Sequence, residues 1–147
     1  MKKPKKQKYK LRISSSTENL EIIREFINNI ASKAGFSEEN VDQIELAVDE
    51  ACTNVIKHAY KYSDKRMLDI SVMLDNEKME IIIMDKGAGF NPEKLPVPNL
   101  EKYMRVAKAG GLGIHLMRTL MDEVNFSMNP GKRNQVSLVK YIGRKSA

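Results

Sequence analysis

The chain has 147 residues, 41% of them hydrophobic and 30% charged, with one cysteine and a formal net charge of +6. That length suits one globular unit that buries its own core without disulfides, and Cys52 has no partner with which to form one. No apolar run approaches the roughly 20 residues needed to span a bilayer, and the basic start MKKPKKQKYK runs into no apolar signal-type segment. A cytoplasmic protein without membrane association is therefore the expectation.

Residues 1–12 hold seven Lys or Arg and no acid, which leaves 18 basic against 19 acidic residues in the remainder. The excess positive charge is thus concentrated at one end. This predicts a solvated basic tail over residues 1–8, a nearly neutral domain over 9–147, and no direct binding of nucleic acid.

Tyr9, Leu11 and Ile13 alternate with basic residues as in a half-exposed strand. Ser14, Ser15, Ser16 and Thr17 supply cap-type residues before Leu20, Ile23, Phe26, Ile27 and Ile30, whose spacing predicts an amphipathic helix ending near Gly35. Ser37 with Asn40 opens a second helix, with an apolar stripe of Ile44, Val48, Ala51 and Val55, running to about Tyr60. Met67–Leu74 and Met79–Met84 flank a polar turn and read as a hairpin. The continuous run Ile81-Ile82-Ile83 predicts a central strand.

From Lys86 to Gly110 the pattern gives way to Gly, Pro and polar residues, a loop long enough to be functional. A third helix from Leu112 to about Leu120 then leads to a strand over Glu123–Met128, a turn at Asn129-Pro130-Gly131 and a last strand over Gln135–Ile142. Helices grouped in sequence and hairpin-linked strands predict an α+β two-layer sandwich, with helices on one face of a mixed, mostly antiparallel sheet.

Three segments carry candidate chemistry. Glu50 and Asn54, four residues apart on the second helix, share one side at the wet edge of the apolar stripe, and Lys57 continues their line. Asp85-Lys86-Gly87-Ala88-Gly89 follows the most buried-looking strand, so a carboxylate there could accept a hydrogen bond from a base while glycine backbone lets the ligand approach. Gly110-Gly111-Leu112-Gly113 opens a helix, where free N–H groups and the dipole favour phosphate. No Walker-type Gly-Lys-Ser/Thr is present. His58 and His115 are expected to be structural or inert, and no His/Cys cluster has zinc-ligand spacing.

In this order the three segments resemble the nucleotide-binding boxes of the GHKL superfamily, which includes gyrase-type ATPases and histidine kinases. Residues 48–60, VDEACTNVIKHAY, and residues 110–117, GGLGIHLM, are similar to the boxes of the anti-sigma-factor serine/threonine kinases, over a span of about Lys10 to Tyr141. The resemblance implies a histidine-kinase-like ATPase fold using ATP and Mg²⁺. It assigns Glu50 to the general base, Asn54 to the magnesium ion, and Asp85 to the adenine amino group, with Gly87 and Gly89 close to the base.

Lys57, by its spacing from Glu50 and Asn54, faces the same cleft, and on the resemblance the glycine box Gly110, Gly111, Leu112 and Gly113 meets the phosphates. Lys108, or Arg105, is the nearby cation for the γ-phosphate, and residues 91–109 form a lid. The implied function is a kinase that binds a sigma factor and phosphorylates a Ser or Thr of an anti-sigma-factor antagonist, working as a homodimer. The alternative is an ATP-binding regulatory module that sequesters a partner without phosphoryl transfer.

Overall fold

The computed structural model describes residues 6–61, 63, 65–87 and 111–143. The Ser16 hydroxyl accepts the Glu18 N–H and starts a single 3₁₀ turn, Thr17–Asn19, that feeds helix α1, Leu20–Ala34. Gly35 stops α1 in the left-handed conformation (φ 94°), its N–H reaching the carbonyls of Ala31 and Ser32, a geometry that costs a glycine least. Ser37 then caps helix α2, Glu38–Asn54, by accepting the Asn40 N–H, with Glu38 and Glu39 in the first turn where the helix dipole favours acids.

The second helix departs from expectation at its end. The α-helix stops at Asn54, and Val55–Ala59 continue as a π turn closed by the Tyr60 N–H on the Val55 carbonyl at 2.9 Å. A π turn is a local widening that recurs at functional sites. Here it sets the Ala59 carbonyl against Gly87 and buries Tyr60, whose hydroxyl donates to the Met67 carbonyl and accepts the Lys86 N–H, both at 2.9 Å. The helix is thereby tied to the ends of two strands.

The sheet contains β1 (Gln7–Ser14), β2 (Met67–Leu74), β3 (Lys78–Asp85), β4 (Glu123–Asn129) and β5 (Arg133–Tyr141), in the order β1-β2-β3-β5-β4 with every pairing antiparallel. The β2–β3 turn is set by Asp75, whose Oδ1 accepts the N–H groups of Glu77 and Lys78 at 2.7 and 2.9 Å, bonds that hold its carboxyl below the ordinary value. As Ile81-Ile82-Ile83 predicts, β3 is central. Ile81 and Ile83 are fully buried, while Ile82 faces the opposite side between Ser71 and Ser137.

One face of the sheet carries Leu68, Ile70, Ile81, Ile83, Val136 and Leu138 into a single core with Ile23, Ile27, Ile44 and Val48 of α1 and α2 and Met117 of helix α3, Gly111–Leu120. The result is the α+β two-layer arrangement expected. No described helix is long and apolar enough to cross a membrane. Cys52 is buried in this core, which pushes its thiol up to about 12, so it remains protonated. Truncating Ile83, 0% exposed in the central strand, should cost about 2–5 kcal/mol. Urea denaturation of Ile83→Ala should show that fall, whereas Met73→Ala, on an exposed position of β2, should shift the midpoint little.

Candidate nucleotide-binding site

Helix α3 begins against α2, and the closeness of that contact defines the site. A Cβ on Gly113 would lie 2.5 Å from Glu50 Oε2 and 3.5 Å from Asn54 Nδ2, so a larger residue there would have to displace the Glu50 carboxylate. The Glu50 carboxylate consequently faces the first turn of α3, Gly111 to Gly113. Burial raises its pKa above the ordinary value, the neighbouring charge of Asp49 raises it further, and Lys57 opposes both. Arg24 of α1 holds Asp49, Nε to Oδ1 at 2.9 Å.

Asn54 lies deeper than sequence spacing suggested. It is 4% exposed instead of standing at a wet edge, because α3 packs over it. Its Nδ2 is buried with no hydrogen-bond partner among the described residues. Buried polar groups are nearly always satisfied, and an unsatisfied one costs about 1–3 kcal/mol. An amide can turn either its oxygen or its nitrogen toward the same space, so Asn54 is suited to a ligand atom or a hard cation.

The second half of the site is at the end of β3. Asp85, 6% exposed, accepts from the Gly87 N–H at 2.8 Å and from Asn134 Nδ2 at 3.0 Å, both on Oδ1. Asn134 is fully buried and also donates to the Gly87 carbonyl at 2.9 Å, while its Oδ1 accepts the Asn129 N–H at 3.0 Å. The Gly131 N–H adds a further bond to the Gly87 carbonyl. Gly87 has no room for a side chain, since a Cβ would sit 2.4 Å from the Ala59 carbonyl oxygen. Asn54 and Asp85 line one narrow cavity, walled by Ile83, Met117 and Val136.

The structure thus brings together Glu50, Asn54 and Gly113, with Gly111 and Leu112 in the same first turn, and joins Asp85 to Gly87, the narrow cavity being shared by Asn54 and Asp85. Lys57 is exposed on the π turn, within electrostatic reach of Glu50. Gly89, Arg105, Lys108, Gly110 and the expected lid over 91–109 lie outside the described residues, as does the side chain of His58. His115 is exposed.

Asn134 is the residue that sequence reasoning missed as part of the site. The sequence pattern starts the last strand at Gln135, after a turn at Asn129-Pro130-Gly131, whereas β5 begins at Arg133 and places Asn134 in line with the core-facing Val136 and Leu138. A polar residue in an otherwise apolar alternation is the signal that would have found it.

Residues 13–140 match the histidine kinase-like ATPase domain family. The chain is 36% identical over 141 residues to the serine-protein kinase RsbW of Bacillus pumilus, covering 91% of this chain and 85% of that protein. It is 33% identical to the serine-protein kinase RsbW of Staphylococcus aureus, with 90% and 85% covered. The chain belongs to the RsbW family of serine-protein kinases. ATP is accordingly the nucleotide of its ATPase domain.

Solved structures agree in fold. The RsbU and RsbW domains of a Mycobacterium tuberculosis protein superpose with a TM-score of 0.63 at 14% identity, covering 95% of this chain and 34% of that one. A chain of the SiaB–SiaC complex of Pseudomonas aeruginosa superposes with a TM-score of 0.65 at 12% identity, covering 89% and 88%.

Asn134→Ala would remove three side-chain hydrogen bonds and leave the Asn129 N–H without its acceptor, at a cost of about 1–3 kcal/mol. Chemical denaturation should show this loss. Asn134→Asp should be more damaging, because it sets a second carboxylate against Asp85.

Proposed function

We propose that the cleft between Glu50, Asn54 and the start of α3 on one side and Asp85 on the other binds Mg·ATP for phosphoryl transfer to a Ser or Thr of an anti-sigma-factor antagonist. The same protein, as a cytoplasmic homodimer, holds a sigma factor. The observation that carries this reading is the contact of Gly113 with Glu50 and Asn54. It sets a carboxylate and an unsatisfied buried amide at the N-terminal turn of a helix, where N–H groups and the dipole favour phosphate.

In this reading the Asp85 carboxylate accepts from the adenine amino group, with Oδ1 already held by Gly87 and Asn134 so that the second oxygen faces the ligand. The backbone N–H groups of Gly111, Leu112 and Gly113 receive phosphate oxygens, and Lys108 serves the γ-phosphate. Asn54, with no other partner among the described residues, fits a ligand to Mg²⁺. When bound, that ion would neutralise phosphate charge during transfer. Glu50 accepts the proton of the attacking hydroxyl.

Burial equips Glu50 for that role, since a carboxylate with a raised pKa is a stronger base than an exposed one. The same shift opposes folding at neutral pH. Because the folded pKa is the higher one, the favourable contribution is complete below the unfolded value and is lost as pH rises through the folded value. Glu50→Gln should therefore unfold at a slightly higher temperature than wild type at neutral pH.

The deciding experiment is single-turnover transfer from ATP to candidate antagonist proteins, with ATP affinity measured in parallel. Glu50→Gln should lower transfer by roughly 10²-fold while leaving ATP affinity equal or slightly improved. Asp85→Asn and Asn54→Ala should each weaken Mg·ATP binding by at least ~10-fold, about 1.4 kcal/mol. With decreasing pH the rate should fall as Glu50 protonates, with a midpoint above the ordinary value of 4.5. A wild-type protein that binds ATP and a sigma factor but transfers nothing would make it a sequestering module.

A further inference from the structure

Beyond residue 12 the chain is almost balanced, yet its basic residues are not evenly placed. Of the 18 Lys and Arg in residues 13–147, five (Lys65, Arg66, Lys86, Lys132 and Arg133) border a single concavity of about 510 Å³, and Arg12 from β1 joins them. Two acids share the lining. Asp69 is paired with Arg12 at 3.5 Å, and Asp85 turns its side chain away into the network with Gly87 and Asn134. None of the five later cations forms an ion pair among the described residues.

This concavity opens at the end of the sheet, largely on the face away from the helices, and meets the nucleotide cleft only at Asp85. Arg12, Asp69 and Met84 are in register on adjacent strands and project from the face away from the helices, as do Met67 and Arg133 by the alternation of their strands. Adjacent residues of β3 thus point to opposite faces, Met84 into this concavity and the Asp85 side chain into its network with Gly87 and Asn134. Two of the arginines are partly oriented already. The Arg66 guanidinium sits 5.0 Å from the centre of the Tyr60 ring and donates to the Lys86 carbonyl at 3.4 Å, and Arg133 Nη2 approaches Met84 Sδ at 2.9 Å.

We propose that this concavity is a second anion site, separate from the ATP cleft, which takes a small molecule bearing two or more phosphate groups. With six cations against two acids around one volume, the lining carries an excess of positive charge, so a multivalent anion is favoured there. Guanidinium forks suit phosphate oxygens, and the volume is within the usual range of about 300–1,000 Å³ for small-molecule sites. Charge density favours phosphates over an acidic peptide. Each phosphate monoester group brings about 1.5–2 negative charges, whereas same-side carboxylates of an extended chain are spaced about 7 Å apart.

The test is calorimetric titration of inorganic tripolyphosphate into the full chain saturated with a non-hydrolysable ATP analogue, so that the nucleotide cleft is already filled. One tripolyphosphate should bind per chain, and affinity should fall with added salt. Lys65→Glu and Lys132→Glu, both at exposed positions, should each weaken it by about tenfold or more. ATP affinity in these variants should stay within about twofold of wild type. Lys33→Glu, an exposed position on α1, should leave both affinities unchanged.

Three results would overturn the proposal. The first is no tripolyphosphate binding to the analogue-saturated protein. The second is binding that ignores the Lys65 and Lys132 reversals. The third is a hexa-aspartate peptide binding more tightly than tripolyphosphate, which would make the concavity a docking place for an acidic protein segment. Circular dichroism and thermal melting of each variant, matching wild type, would exclude misfolding as the cause of a loss.

Discussion

The approach of α3 to α2 at Gly113 is the constraint on which the rest of the site depends. With a Cβ 2.5 Å from Glu50 Oε2, any other residue would have to displace the carboxylate or push the helix outward. That contact buries Asn54, desolvates Glu50 and sets both against the N-terminal turn of α3. A low-dielectric setting strengthens each of these interactions and raises the cost of leaving any of them unmet. Asn54 Nδ2, buried and without a hydrogen-bond partner among the described residues, leaves a polar group of this arrangement open to a further partner.

Asp85 meets the opposite requirement, a buried acid held in one orientation. Its Oδ1 is committed to Gly87 and Asn134, and Asn134 is itself committed to Asn129, so the carboxylate cannot rotate without breaking several bonds. The π turn contributes from the other direction. By carrying Ala59 against Gly87 and Tyr60 beneath Lys86, it connects the helix that bears Glu50 and Asn54 to the strand that bears Asp85. Fixing both sides of a cleft to one another in this way is what positioning for phosphoryl transfer requires.

The two faces of the sheet are used differently. The helix-covered face is apolar except where Asp85, Asn134 and Lys140 enter it, and Lys140 is satisfied by donating to the Leu120 carbonyl at the end of α3. This bond places a cation at the C-terminal end of the helix whose N-terminus faces Glu50, in keeping with the helix dipole. The open face keeps Ser71, Ile82 and Ser137 at its centre and gathers cations at one end.

Much of this was legible in the chain itself. Period-3.6 and period-2 patterns, Ser37 and Gly35 as helix punctuation, and the polar turn between β2 and β3 are local signals, and local signals determine element type. The spacing of Glu50 and Asn54 on one helix, the acid after the apolar strand and the glycines before a helix likewise identified the candidate groups. Tertiary structure decided what spacing cannot express. Whether Asn54 is wet or buried depends on a helix nearly sixty residues away, and the role of Asn134 depends on the pairing of β5 with β3. The convergence of Lys65, Arg66, Lys86, Lys132 and Arg133, scattered singly or in pairs along the chain, exists only once the strand ends are brought together. Burial and electrostatic proximity are properties of packed neighbours, and a sequence lists only those neighbours that are joined by peptide bonds.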